Sequence, residues 1–204
     1  MEKTTQVIFV RHAQTQTITS QRIHGQTDGP LSEKGLIDAH KTAEFFRGQT
    51  FDAFYSSPIG RAMTTATMIG EAINMTPTPA DGLKERYYGW LEGRSLKWFE
   101  PDLSGPKITL PLVKFALWAS GESSKDFVDR VTGTFDAIAD KHKGQRVLIV
   151  LHWGVLGVLT QYLQEKDLKI WQTIGPWIAC GISEYHRSNG KWHPKYLDKG
   201  DHLR

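Results

Sequence analysis

R-V-L-I-V-L-H, residues 146–152, places five apolar residues in a row between an arginine and a histidine. A strand with one wet face alternates apolar and polar residues. An unbroken run requires burial on both faces, which a parallel sheet obtains from helices packed above and below it. V-I-F-V-R-H (7–12) has the same form, and F-D-A-F-Y-S (51–56) reads as a further strand. Between these runs the apolar spacing becomes helical. Ser32-Glu33-Lys34-Gly35 opens a helix with Leu36, Ala39, Ala43 and Phe46 on one face. Pro58 starts a second, with Ala62, Ala66, Ile69 and Ile73 inward. Ser123 and Asp126 resemble a capping box before the stripe Phe127, Val131, Phe135, Ile138. G-V-L-G-V-L-T-Q-Y-L (154–163) continues as a helix, and S-N-G (188–190) joins two strands of a β-hairpin. Strands alternating with helices predict an α/β fold, a three-layer α/β/α sandwich with a mostly parallel sheet. Residues 13–31 read as a long polar loop, and 74–89 as irregular. Residues 90–121 read as an aromatic-rich excursion holding Trp98, Phe99, Phe115 and Trp118.

The 204 residues carry a net charge of +3 with no basic run, which argues against a nucleic-acid partner. The mild positive balance suits a small anionic substrate, and equally no partner at all. The single cysteine, Cys180, leaves no internal disulfide and no cysteine-based zinc site, in keeping with a reducing cytoplasm. No run approaches the roughly 18 apolar residues a membrane span needs, and the start lacks a signal-peptide core, so no membrane partner is expected. An exposed strand edge or the aromatic segment could support a homodimer.

In open parallel sheets, ligands bind beyond the carboxyl ends of the strands. That rule selects Arg11-His12 after one strand and His152 after another. Arg61, in the first turn of the second helix, and the acid Glu85 complete a set with one chemistry. Arginine forks match phosphate oxygens. They also depress the pKa of a nearby imidazole, leaving it a neutral nucleophile. A carboxylic acid protonates the leaving oxygen and then deprotonates water. Such a site transfers phosphoryl groups with cationic side chains in place of magnesium, so no cofactor and no metal are expected. Singly, each residue has an ordinary explanation: a surface pair, a core histidine, a solvated acid.

Several motifs resemble, in order, those of the histidine phosphatases, the superfamily that includes the cofactor-dependent phosphoglycerate mutases. V-R-H-A-Q-T (10–15) resembles its Arg-His-Gly-Glu-Thr signature, and G-Q-T-D-G-P-L-S-E-K-G (25–35) the segment that follows. S-S-P-I-G-R-A-M-T-T-A (56–66) is similar to its Ser-Ser-Pro-x-x-Arg-Ala-x-x-Thr-Ala motif. L-K-E-R-Y-Y-G-W-L-E-G (83–93) resembles the acid-bearing segment. G-E-S (121–123), L-H-W-G (151–154) and G-D-H-L (200–203) resemble later landmarks. The resemblance implies one phosphoglycerate mutase-like domain over 1–204, with the excursion above its active site. It implies that His12 is phosphorylated, that Glu85 donates the proton, and that His152 completes the catalytic set. It further implies a phosphate pocket from Arg11, Arg61, Gln14, Thr15 and Trp153, with Arg86, Tyr88, Gln26 and Thr27 as substrate contacts. Ala13 and Gln14 depart from the usual Gly-Glu, Ile18 from a phosphate-touching asparagine, and Leu151-His152-Trp153 from Ser-His-Gly. The implied function is hydrolysis of a small phosphomonoester through phosphohistidine. Phosphoglycerate mutase-type transfer, suggested by Glu85-Arg86-Tyr87-Tyr88-Gly89, is the alternative. The departures also allow a family member that binds a phospho-ligand or a protein with little catalysis.

Overall fold

The computed structural model describes residues 4–16, 22–95, 121–165 and 177–204. In chain order the strands are β1 (Thr5–Arg11), β2 (Ala53–Ser56), β3 (Thr78–Pro79), β4 (Arg146–Leu151), β5 (Ile182–Ser188) and β6 (Lys191–Lys199). The helices are α1 (Glu33–Phe46), α2 (Gly60–Ile73), α3 (Ser124–Lys141) and α4 (Trp153–Leu163). The strands form one sheet in the order β3-β2-β4-β1-β5-β6. β1 to β4 run parallel, while β5 is antiparallel to β1 and β6 to β5.

The unbroken apolar runs are explained by burial on both faces. Val7, Phe9, Val147, Ile149 and Leu151 point toward α3 and α4, into a core with Phe127, Val131, Phe135, Val155 and Leu159. Ile8, Val10, Leu148 and Val150 point the other way, onto Ala43, Phe46, Ala62, Ala66 and Ile69 of α1 and α2. Each large side chain buried in this way contributes roughly 1.5–3 kcal/mol. No helix among the described residues is long and apolar enough to cross a membrane.

Local signals are read as expected at the caps. Ser32 Oγ accepts from the Gly35 N–H at 3.0 Å, and Ser123 Oγ from Asp126 N–H at 3.1 Å. The hairpin turns through Asn189 and Gly190, at φ 51° and 77°, the pair of positive values a type I′ turn needs. Three details differ. Leu36, expected inward, is 46% exposed, and the buried stripe of α1 runs instead through Gly35, Asp38, Ala39, Thr42, Ala43 and Phe46. Gly35 sets that rotation, because any Cβ there would stand 2.0 Å from the Gln14 carbonyl oxygen. The second helix begins at Gly60 rather than at Pro58. The irregular stretch 74–89 contains the short strand β3 and a 3-10 turn at Asp81–Leu83. Residues 96–120, most of the expected excursion with its four named aromatics, lie outside the described residues, as does Ile18.

Candidate active site

The register of the two central strands brings the histidines together. Arg11 pairs with Leu151, so His12 and His152 leave adjacent strands at the same level. The His12 N–H continues the ladder to the Leu151 carbonyl at 2.9 Å, and the two imidazole centroids are 5.1 Å apart.

His12 is 4% exposed, and its Nδ1 lies 2.7 Å from the Ala13 carbonyl oxygen. A carbonyl only accepts, so Nδ1 carries the proton and Nε2 the lone pair. Arg61 Nε donates to that lone pair at 3.3 Å. Burial, reinforced by Arg61 and Arg11, holds the imidazole pKa well below its usual range, and the ring is neutral near pH 7. His152 is fully buried, with Nε2 2.7 Å from Ser57 Oγ, while its Nδ1 has no partner among the described residues. Its pKa is likewise held well below normal, by burial first and then by His12, Arg61 and Arg11.

Arg61 enters from the first turn of α2 and is 2% exposed. Its NH1 donates to the Thr27 carbonyl at 2.9 Å and its NH2 to the Gly25 carbonyl at 2.7 Å. Asp28 accepts from the Arg61 main-chain N–H at 3.1 Å, and its Oδ1 is 3.7 Å from NH1. Arg11 donates NH1 to the Trp177 carbonyl, but its buried Nε has no partner among the described residues. Glu85 is 9% exposed and accepts from Arg86 N–H at 2.8 Å and Gly154 N–H at 2.9 Å. Burial raises its carboxyl pKa against the opposing pull of those hydrogen bonds, Arg61 and Arg11.

The departures have local accounts. Ala13 has no positive φ, is fully buried, and donates its N–H to Thr65 Oγ1 at 3.1 Å, so glycine is not required there. The close approach after the second histidine is at Gly154, where a Cβ would meet Glu85 Oε1 at 2.4 Å. Trp153, one residue earlier, packs half-buried against the α3–α4 core. Leu151 is core.

Five of the expected residues thus share one buried neighbourhood: Arg11, His12, Arg61, Glu85 and His152. The others stand around it. The Gln14 side chain faces the α1 cap, its Oε1 accepting from Ser32 Oγ at 2.9 Å. Thr15 Oγ1 is 3.3 Å from His24 Nε2. Gln26 donates Nε2 to the Glu85 carbonyl at 3.0 Å. Arg86 turns toward α3, donating Nε and NH2 to the Glu122 carbonyl at 3.3 and 3.1 Å. Its guanidinium also sits 5.6 Å from the Tyr88 ring. Burial pushes the Tyr88 phenol above its ordinary range. Sequence reasoning passed over Ser57, Asp28 and Glu92, all inside segments it had already quoted. Their work is hydrogen bonding across the fold, which spacing does not encode. Among the described residues no group of three or more His, Cys, Asp or Glu side chains is arranged to hold a metal ion.

Two buried neutral histidines make the fold acid-sensitive. Their folded pKa values lie below the unfolded value of about 6.5, so unfolding takes up protons as pH falls below it. Each contribution to stability is complete above that pH and lost on the way down, at up to about 1.4 kcal/mol per pH unit. Burial also lowers His24 and His202, with the same sign; Glu85 and Asp198, with raised values, have the opposite sign but are two acids against four histidines. The melting temperature is therefore expected to fall from pH 7.5 to 5.5, and to fall less steeply in His12→Gln. An unchanged slope in that variant would count against a buried neutral His12.

The sequence model of the histidine phosphatase superfamily (branch 1) matches residues 7–199. The metal-independent phosphoserine phosphatase of Arabidopsis thaliana is 31% identical over 194 residues, covering 92% of this chain and 79% of its own. The probable phosphoglycerate mutase GpmB of Yersinia pestis (strain Pestoides F) is 32% identical over 191 residues, covering 86% and 89%. Among solved structures, Bacillus stearothermophilus YhfR has a TM-score of 0.81 at 24% identity, covering 98% of this chain and 100% of its own, a likeness of fold.

Proposed function

Because the chain belongs to the histidine phosphatase superfamily, we propose that it hydrolyses a small phosphomonoester, without a metal ion, through a phosphohistidine on His12. In the first step His12 Nε2 attacks phosphorus and the P–O bond to the alcohol breaks. Protonated Glu85 gives its proton to the departing oxygen. In the second step Glu85, now a carboxylate, takes a proton from water as the water oxygen attacks phosphorus. The P–N bond breaks, and the products are alcohol and inorganic phosphate. Arg11 and Arg61 face the phosphoryl oxygens and supply the positive field that a metal supplies in other phosphoryl-transfer sites, while neutral His152 offers a ring N–H.

One observation carries this reading. Among the described residues Arg11 Nε is a buried donor without an acceptor and His152 Nδ1 a buried ring nitrogen without a partner, which is a donor when the Ser57 hydroxyl gives its proton to Nε2; both lie beside a nucleophilic nitrogen whose lone pair is preserved by the Ala13 carbonyl and Arg61. A buried donor left unpaired costs roughly 1–3 kcal/mol. The oxygens of a phosphoryl group are the acceptors that would relieve it.

Mutase-type transfer is the second reading, favoured by Glu85-Arg86-Tyr87-Tyr88-Gly89 and by the likeness to GpmB. The Arg86 guanidinium, already committed to the Glu122 carbonyl and 6% exposed as a residue, supports the phosphatase instead. The test is a panel of phosphomonoesters in excess chelator. Phosphoserine belongs in it because the Arabidopsis relative is named for it, and 3-phosphoglycerate is assayed with a bisphosphoglycerate primer. Phosphate release without metal is expected. Isomerisation well above phosphate release, or an absolute need for a divalent metal, would overturn the assignment.

A further inference from the structure

We infer that Glu92 is a positioning residue, a single carboxylate that sets the Arg61 guanidinium in place and ties it to the segment bearing Glu85. The inference deepens the phosphatase reading and rests on it. Four donors converge on this one side chain. Oε1 accepts from Gln26 N–H at 2.8 Å and Tyr88 N–H at 3.0 Å. Oε2 accepts from Thr27 N–H at 2.8 Å and Thr27 Oγ1 at 2.6 Å. Only an ionised carboxylate offers enough acceptor sites for four donors with no proton of its own in the way.

The consequence passes to Arg61. The Gly25 and Thr27 carbonyls hold its two terminal nitrogens, and Glu92 fixes the main-chain N–H groups of Gln26 and Thr27 between and beside them. Gly25 fits only because it lacks a side chain. It stands at φ +54°, and a Cβ would lie 2.1 Å from Glu92 Oε1. The two segments are further zipped together. Gly93 N–H donates to Ile23 O at 2.7 Å, and Ile23 N–H to Arg94 O at 2.9 Å. Gln26 Nε2 then reaches the Glu85 carbonyl at 3.0 Å. The loop that orients the phosphate-gripping arginine is therefore docked on the segment that carries the proton donor, and Glu92 is the joint.

Glu92→Gln tests this with nearly unchanged shape. The amide NH2 must face two donors whichever way it is turned, so two of the four hydrogen bonds are lost. The probe is orthovanadate, titrated calorimetrically into the full chain well below its melting temperature. Weakening of about tenfold or more is expected, the scale on which partners that orient a ligating side chain act, with a matching rise in KM for phosphomonoester. Wild-type vanadate affinity in folded Glu92→Gln, even with a lowered melting temperature, overturns the inference, because it leaves Glu92 structural only. Should that variant not fold, Thr27→Val removes the Oγ1 donor alone. A measurable loss of vanadate affinity is expected, and none overturns the inference. A wild-type chain that binds no vanadate overturns the phosphatase reading beneath it, a result separable from the other two.

Discussion

Replacing His12 with alanine is expected to lower phosphate release by on the order of 10⁴-fold or more, the scale on which loss of the group that forms the covalent bond registers. The expectation follows from how little else could serve. The lone pair must belong to a neutral ring, and burial with two flanking arginines keeps it neutral. It must also lie on the correct nitrogen, and the Ala13 carbonyl takes the proton on Nδ1. His152 is near, but its Nε2 is engaged with Ser57 Oγ at 2.7 Å. Rapid quench of wild type with substrate should trap acid-labile phosphate that maps to residue 12. His12→Ala should trap none. His152→Ala should slow turnover yet still trap some, because it removes stabilisation and not the acceptor. Residual activity of His12→Ala above about one per cent of wild type would place the covalent step elsewhere or remove it.

The second large effect belongs to Glu85. Glu85→Gln is expected to reduce kcat/KM for alkyl phosphates by about 10²–10⁴-fold, the range of a lost general acid. For an aryl phosphate, whose leaving phenolate needs no proton, the first step should survive. Water activation still needs a base, so phosphohistidine should accumulate and appear as a burst. The pH profile carries the sign. Burial raises the Glu85 pKa, and the acid must be protonated to act, so wild-type kcat/KM should fall on the alkaline side as pH passes through that raised value. The acid limb belongs to His12, which loses its lone pair as pH falls through its lowered pKa. In Glu85→Gln the alkaline limb should vanish and the acid limb remain. Equal losses on alkyl and aryl substrates would assign Glu85 a structural role.

Much of the architecture was legible because the physics that sets it is local. An apolar run of five can be buried only on both faces, and Val147 to Leu151 are. Ser32 and Ser123 cap their helices because a hydroxyl there satisfies an orphan N–H. Motif order singled out the five charged or nucleophilic candidate residues that converge, and strand register then explained why two of them meet. What was not legible depends on distant partners. Leu36 fits the helical stripe but is turned out, because Gly35 must touch the Gln14 carbonyl. Gln14 reads as a phosphate ligand by position, yet the nearby Ser32 hydroxyl engages it. Arg86 reads as a substrate contact, yet Glu122, which also holds Arg130 at 2.7 Å, draws it toward α3. No spacing rule announces Glu92, whose four donors come from three residues, two of them more than sixty positions upstream.

The outer edge of the sheet has a consequence for how the chain behaves in company. β6 is the last strand, nine residues long and largely exposed, and an unguarded edge of that length would invite other chains to extend it. Lys191, Lys195 and Lys199 recur along it at every fourth position, and Pro194 removes a donor near its middle. The pairing with β5 is itself irregular on either side of Glu184. Edge-to-edge polymerisation would have to desolvate those ammonium groups and leave a gap in its ladder. The chain is thereby protected against fibril growth along this border, and a Pro194→Val, Lys195→Val pair would be the shortest route to losing that protection.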